Sequence, residues 1–284
     1  MEHPADVARP FFAYGLFRPG QLAFFQVREL VSAFVDPTQI IGRLLLRDGL
    51  PIIDPDGNGW VTGALLTFLP ERSAEAYTRI CRMEPDKHYR WLERQVDGTA
   101  ANVLVGRHPT RGSEPCDAEW NGWNDPLFTT ALDVVEETLN SQKFDWDLKP
   151  LFRLQMAYLL LWSSIERYVS LRYHLGTEVT RKVYQLASEP AFALSLLSRV
   201  GERRQVYRAD RPDQKVVLDP QQPGSAVKYF YQLRSNITHR GKGVVKDYER
   251  ISDALAALLP IFRYVLVAAQ RDAGWSGTTV DSSL

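Results

Sequence analysis

The chain has 284 residues, enough for two domains of ordinary size. Its 45% hydrophobic and 11% aromatic content supplies buried cores, and 34 basic against 34 acidic residues leave no global field to gather nucleic acid or an anionic membrane. Its two cysteines, Cys81 and Cys116, form no CxxC pair, which excludes a zinc finger and a disulfide framework and points to a reduced, cytoplasmic setting.

The first hundred residues read as α/β. The opening "MEHPADVARPFF" lacks the basic and apolar regions of a secretory signal. Short Val-, Ile- and Leu-rich runs predict strands at "PFFAYG" (10–15), "QIIGRLLL" (39–46), "GWVTGALLTFL" (59–69) and "ANVLVGR" (101–107), with a turn at "DPDGNG". Ala74, Tyr77, Ile80 and Cys81 recur at helical spacing in "PERSAEAYTRICRM" (70–83), with Pro70 suited to the first turn.

Three prolines, three glycines and small polar residues mark "GRHPTRGSEPCDAEWNGWNDP" (106–126) as loop-rich, with a linker placed at 111–124. Beyond it the pattern is helical, over 125–273. Asp125 and Pro126 suit the N-cap and N1 positions of a helix over 125–141. Leu151, Leu154, Tyr158, Leu161, Ile165 and Tyr168 form one apolar stripe at alternating steps of three and four. Two short helices meet near Pro190. The span 206–224 reads as a polar loop long enough to have a role. Helices then resume over 225–239 and 245–272, the latter containing Pro260, and 274–284 reads as a frayed tail. The longest near-apolar run, "LQMAYLLLWSSIERY", is too short to span a bilayer and carries Glu166 and Arg167, so no membrane segment is expected.

Two stretches carry candidate chemistry. "YGLFRPG" (14–20) follows a strand and lacks the spacing of a nucleotide loop, but its glycines open backbone N–H groups to a carboxylate. "YFYQLRSNITHRGKG" (229–243) holds Arg234 and His239, which on a helix lie about 140° apart in rotation and roughly 7–8 Å apart along the axis. Arg234 can reach along the helix to a shared phosphate. His239, near a helix C-terminus, gains stability as imidazolium, while Arg240 and Lys242 oppose that charge. At least one of Tyr229, Phe230 and Tyr231 is expected in the core, and one can stack on a base. His3, His88, His108 and His174 show no ligand spacing, so no metal and no cofactor are expected.

Three blocks within residues 11–107 resemble the gamma-glutamylcyclotransferase-like (AIG2-like) family. They are "FFAYGLFRPG", "IIGRLLLRDGLPIIDPDGNGWVTGALLTF" and "ICRMEPDKHYRWLERQV", in family order. The resemblance implies a small mixed β-barrel with helices over 1–110. It implies an internal cyclisation in which the α-amine of a γ-glutamyl compound attacks its own γ-amide carbonyl, releasing 5-oxoproline. Glu84 matches the family's base, Tyr14, Gly15 and Leu16 its substrate-holding loop, and Tyr89 its downstream tyrosine. Leu16 stands where a small hydroxyl residue is usual, Pro85 where Gly is usual, and Leu104 where an aromatic is common.

The helical half, with "LRSNITHRG" before its last long helix, resembles the HEPN superfamily, whose signature is Arg, four to six residues, then His. That implies an all-α bundle that dimerises around the motif and cleaves single-stranded RNA without a metal, as in toxins and antiphage effectors. Ser235 stands where Asn is commonest, and Glu166 matches an acidic residue facing the motif. The leading expectation is thus an α+β protein with a ribonuclease domain, active as a homodimer, and a regulatory domain that binds a small γ-glutamyl ligand. The alternative is a working cyclotransferase whose helical domain serves dimerisation or partner binding, and an RNA-binding adaptor comes third.

Overall fold

The protein is described here by a computed structural model covering residues 1–84, 87–141, 148–173, 179–240 and 245–274; the side chains of 179–180, 239–240 and 245–246 lie outside that description. The chain is α+β, a curled six-stranded sheet followed by helices. It divides into two compact units. One is Met1–Asp125 with Leu171–Gly176 and Ala269–Leu284; the other is Pro126–Ser170 with Thr177–Ala268.

The first unit contains β1 (Phe11–Ala13), β2 (Val31–Arg47), β3 (Leu50–Phe68), α1 (Ser73–Met83), β4 (Tyr89–Val96), β5 (Thr99–Gly106) and β6 (Glu114–Pro115). The sheet order is β4-β5-β1-β3-β2-β6. Only β1 and β5 run parallel; the other neighbours are antiparallel. Inward residues Phe12, Tyr14, Ile40, Ile53, Val61, Val103 and Val105 close one apolar core inside the curl.

Two Asp-Gly pairs make the hairpin turns. Asp48 and Gly49 join β2 to β3 with φ of 54° and 72°, and Asp97 and Gly98 join β4 to β5 with φ of 49° and 82°. Positive φ at both central residues is the geometry that continues the strand twist through a two-residue loop. The turn expected at "DPDGNG" is corrected: those residues lie within β3. Gly42 faces Gly59 while Arg43 faces Asp54, so 55–58 bulge from the ladder without reversing the chain.

The expected linker at 111–124 also needs correction, because this segment is a built part of the first unit. β6 pairs with β2 through Leu45 and Leu46, Cys116 N–H donates to Leu44 O at 3.1 Å, and Trp120 and Trp123 are buried. Glycine and proline counts suggested a tether; the two indoles hold it down.

From Pro126 onward the helices are α2 (Thr130–Ser141), α3 (Lys149–Tyr173), α4 (Val179–Gln185), α5 (Pro190–Arg199), α6 (Pro223–Arg240) and α7 (Val245–Asp272). The α3 stripe from Leu151 to Tyr168 is buried throughout, and each such side chain contributes about 1.5–3 kcal/mol. The buried Tyr158 hydroxyl donates to Phe230 O at 2.8 Å, tying α3 to α6. Asp125 does not cap α2; Ala131 N–H donates to Pro126 O across a turn, and the helix begins at Thr130.

The second unit is not all-α. A hairpin of β7 (Arg204–Tyr207) and β8 (Lys215–Leu218) occupies most of the expected loop. Among the described residues one helix, over Asp247–Asp272 in α7, is long and apolar enough to cross a membrane, and 50% of its most apolar window is buried in the fold. The helix that meets that measure of length and hydropathy is thus in α7 and not in the α3 run. Its Ile251, Leu255, Leu258, Leu259 and Phe262 are core.

Candidate functional site

Glu84 terminates α1 with extended backbone, its N–H still bonded to Ile80 O at 3.0 Å. The helix periodicity buries Tyr77, Ile80 and Met83, and the carboxylate is carried inward with them to 9% exposure. It enters a recess lined by Phe11, Ala13, Tyr14, Gly15, Leu16, Phe17, Leu50, Pro51, Tyr89 and Leu104. The five residues expected in the first unit's site, Tyr14, Gly15, Leu16, Glu84 and Tyr89, thus share one cavity. Pro85 lies outside the described residues.

Among the described residues Glu84 is the only charged side chain on that wall. Its Oε2 is buried with no hydrogen bond among the described residues. Loss of water pushes its carboxyl up to about 7, and the C-terminal end of a helix disfavours an anion in the same direction. The tyrosine donors are already committed. Tyr14 Oη donates to Leu104 O at 2.8 Å, and Tyr89 Oη to Pro51 O at 3.2 Å. Burial first, then the neighbouring Glu84, raises both phenols well above their ordinary value, so they stay neutral. The side chains therefore offer acceptors to whatever enters, with Glu84 supplying a proton when it carries one.

In the turn after β1, Arg18 N–H donates to Gly15 O and Ala23 N–H to Leu16 O; none of these bonds consumes the N–H of Gly15, Leu16 or Phe17. Gly15 is required by contact, since a Cβ there would lie 2.9 Å from Pro51 Cγ. The enclosed space is about 20 Å³, room for one water-sized or ammonium-sized group. Leu50 and Pro51 are wall residues that residue-type reasoning left unassigned; the signal was the Asp-Gly turn directly before them.

The second cluster lies in the other unit. Arg234 Nη2 on α6 stands 3.4 Å from Glu166 Oε1 on α3. This is an ion pair by distance without hydrogen-bond alignment, because that oxygen accepts no hydrogen bond among the described residues. Burial lifts the Glu166 carboxyl against the pull of Arg234 and Lys182, and burial lowers Lys182 against the pull of Glu166. The Arg234 guanidinium lies 5.7 Å from the Tyr231 ring, which meets Trp162 edge-on at 5.5 Å. Tyr229 and Phe230 are core. The Ser235 and Arg234 carbonyls accept from Thr238 Oγ1. The backbone of His239 belongs to the last turn of α6, and its side chain lies outside the described residues.

No family model, curated protein or solved structure matches this chain.

Proposed function

We propose that the first unit is a gamma-glutamylcyclotransferase-like enzyme and that Glu84 carries its proton transfers. The supporting observation is the unpartnered Glu84 carboxylate in an apolar recess beside Tyr14, Gly15, Leu16 and Tyr89. A carboxyl near neutrality suits both halves of the reaction. As base it takes a proton from the substrate's α-ammonium. The freed amine attacks the γ-carbonyl carbon, forming a C–N bond and an oxyanion. The N–H groups of Gly15 and Leu16 steady that oxyanion. Glu84 then returns the proton to the departing nitrogen and the original γ-amide bond breaks; the ring nitrogen gives its second proton to Glu84, which passes it to solvent, and 5-oxoproline and a free amine leave. The enclosed 20 Å³ takes the ammonium end of such a substrate; the remainder requires the walls at Leu16 and Leu50 to move apart. Release of 5-oxoproline from a panel of γ-glutamyl amines, lost in Glu84→Gln, tests the reading, and release by neither protein overturns it.

A second reading concerns the other unit. The Arg234–Glu166 pair at 3.4 Å favours a HEPN-like site in which Arg234 steadies a phosphate and His239 moves the proton. A symmetric dimer would supply two such pairs, and cleavage would be metal-independent. Labelled single-stranded RNA in EDTA, wild type beside His239→Ala, tests it. Cleavage that persists in the variant, or is absent for every RNA, overturns it.

A further inference from the structure

Two tryptophans in the segment 114–125 grip two glycine carbonyls, each in a turn that supplies lining residues to the Glu84 recess. Trp120 Nε1 donates to Gly49 O at 3.0 Å, and Trp123 Nε1 donates to Gly20 O at 2.8 Å. Gly49 is followed directly by the wall residues Leu50 and Pro51, and Gly20 ends the turn that begins with Tyr14, Gly15, Leu16 and Phe17. Both glycines have positive φ, 72° and 82°, a backbone conformation that glycine adopts without steric cost.

The segment makes further ties to the turn that ends at Gly20 and to the residues directly after it. Gly122 N–H donates to Gln21 Oε1 at 3.0 Å, and Gln21 Nε2 reaches Asn121 Oδ1 at 3.4 Å. Arg18 bridges Asp36 at 2.7 Å and Glu119. Gly122, between the two indoles in sequence, is packed closely: a Cβ there would fall 2.6 Å from Leu22 Cδ1 and from the Trp120 ring.

We propose that residues 114–125 act as a strap that sets the spacing of the two recess walls, with Trp120 and Trp123 as positioning residues for the Glu84 site. The proposal rests on the Glu84 recess being the working site, but its readout needs no turnover. A strap that holds the walls closed keeps water from Glu84. Releasing either indole bond lets the walls part and hydrates the carboxyl. Among the described residues Tyr14 and Tyr89 are the other titratable groups on the wall, and both stay neutral throughout the range.

The test follows the Glu84 carboxyl band by infrared titration, with Glu84→Gln identifying the band. The variants are Trp120→Phe and Trp123→Phe, which keep an aromatic ring and lose the N–H donor. In both, the Glu84 midpoint is expected to fall from near 7 towards the ordinary carboxylate range, by about one pH unit or more, with far-UV circular dichroism unchanged. Should an indole variant fail to fold, Glu119→Gln carries the test, because the Glu119 side chain is exposed and its loss removes the strap's ion pair to Arg18, which stays paired with Asp36, with the same direction of change. Folded variants whose Glu84 midpoint equals that of wild type overturn the strap. Absence of 5-oxoproline release by wild type bears on the cyclotransferase reading and leaves this result standing.

Discussion

Arg234 on α6 and Glu166 on α3 face each other at 3.4 Å, each about one-quarter exposed. Burial of Glu166 means that removing Arg234 leaves a half-buried carboxylate with Lys182 as its remaining cationic influence. Arg234→Ala is expected to lower stability by about 1–2 kcal/mol. Glu166→Gln in the Arg234→Ala background should recover part of that loss. Urea unfolding of the two single variants and the double variant measures the coupling, and strict additivity would show that the pair contributes nothing.

Glu84 gives the fold a pH signature of its own. Its folded carboxyl sits near 7 against 4.5 for the ordinary group. The folded state therefore holds the proton more tightly than the unfolded chain. The sign follows: stability is greatest below the unfolded value and declines as pH rises from about 4.5 to about 7. Glu84→Gln lacks that decline. The stability difference between variant and wild type is expected to grow in the variant's favour by roughly 3 kcal/mol between pH 4.5 and 8, read from paired urea unfolding curves.

Gly15 tests the recess wall sterically. Gly15→Ala drives a Cβ to 2.9 Å from the Pro51 ring, while a Cβ on Gly224, in the first turn of α6, meets nothing within 4 Å. Gly15→Ala is expected to destabilise by about 1–3 kcal/mol. Gly224→Ala should be neutral or stabilising by up to about 1 kcal/mol. Thermal unfolding of the two variants compares contact with helix propensity directly.

Asn236 holds the hairpin to α6. Its Oδ1 accepts from Ala209 N–H at 3.0 Å and its Nδ2 donates to Tyr207 O at 2.8 Å. Asn236→Ala leaves both backbone groups unpaired and is expected to cost about 1–3 kcal/mol. Amide hydrogen exchange should show protection lost across 204–218 before it is lost in α3.

Legibility followed the strength of each local signal. The α3 stripe was readable because six large apolar residues keep helical spacing over five turns. The β7–β8 hairpin was not, because strands of four residues, RQVY and KVVL, are too short to display an apolar alternation, and Pro212 and two aspartates lie between them. Turn chemistry misled where it was densest: "DPDGNG" drew the turn that Asp48–Gly49 makes. Prolines and glycines hid the strap, although Trp120 and Trp123 were visible. Nothing in spacing alone joins Glu84 to Tyr14 or Tyr89; only the ordered family blocks suggested it, and the curl of the sheet brings them to one recess. The depth of Glu84, and the commitment of the tyrosine donors to Leu104 and Pro51, depend on three-dimensional packing that no one-dimensional pattern encodes.

The pH dependence of 5-oxoproline release is the most direct test of the role given to Glu84. With a reactive γ-glutamyl amine, kcat/KM of wild type is expected to rise with an apparent pKa near 7. Glu84→Gln should lose at least about 100-fold of it. A rate that is flat through neutrality and equal in Glu84→Gln would contradict a proton-transfer role for Glu84.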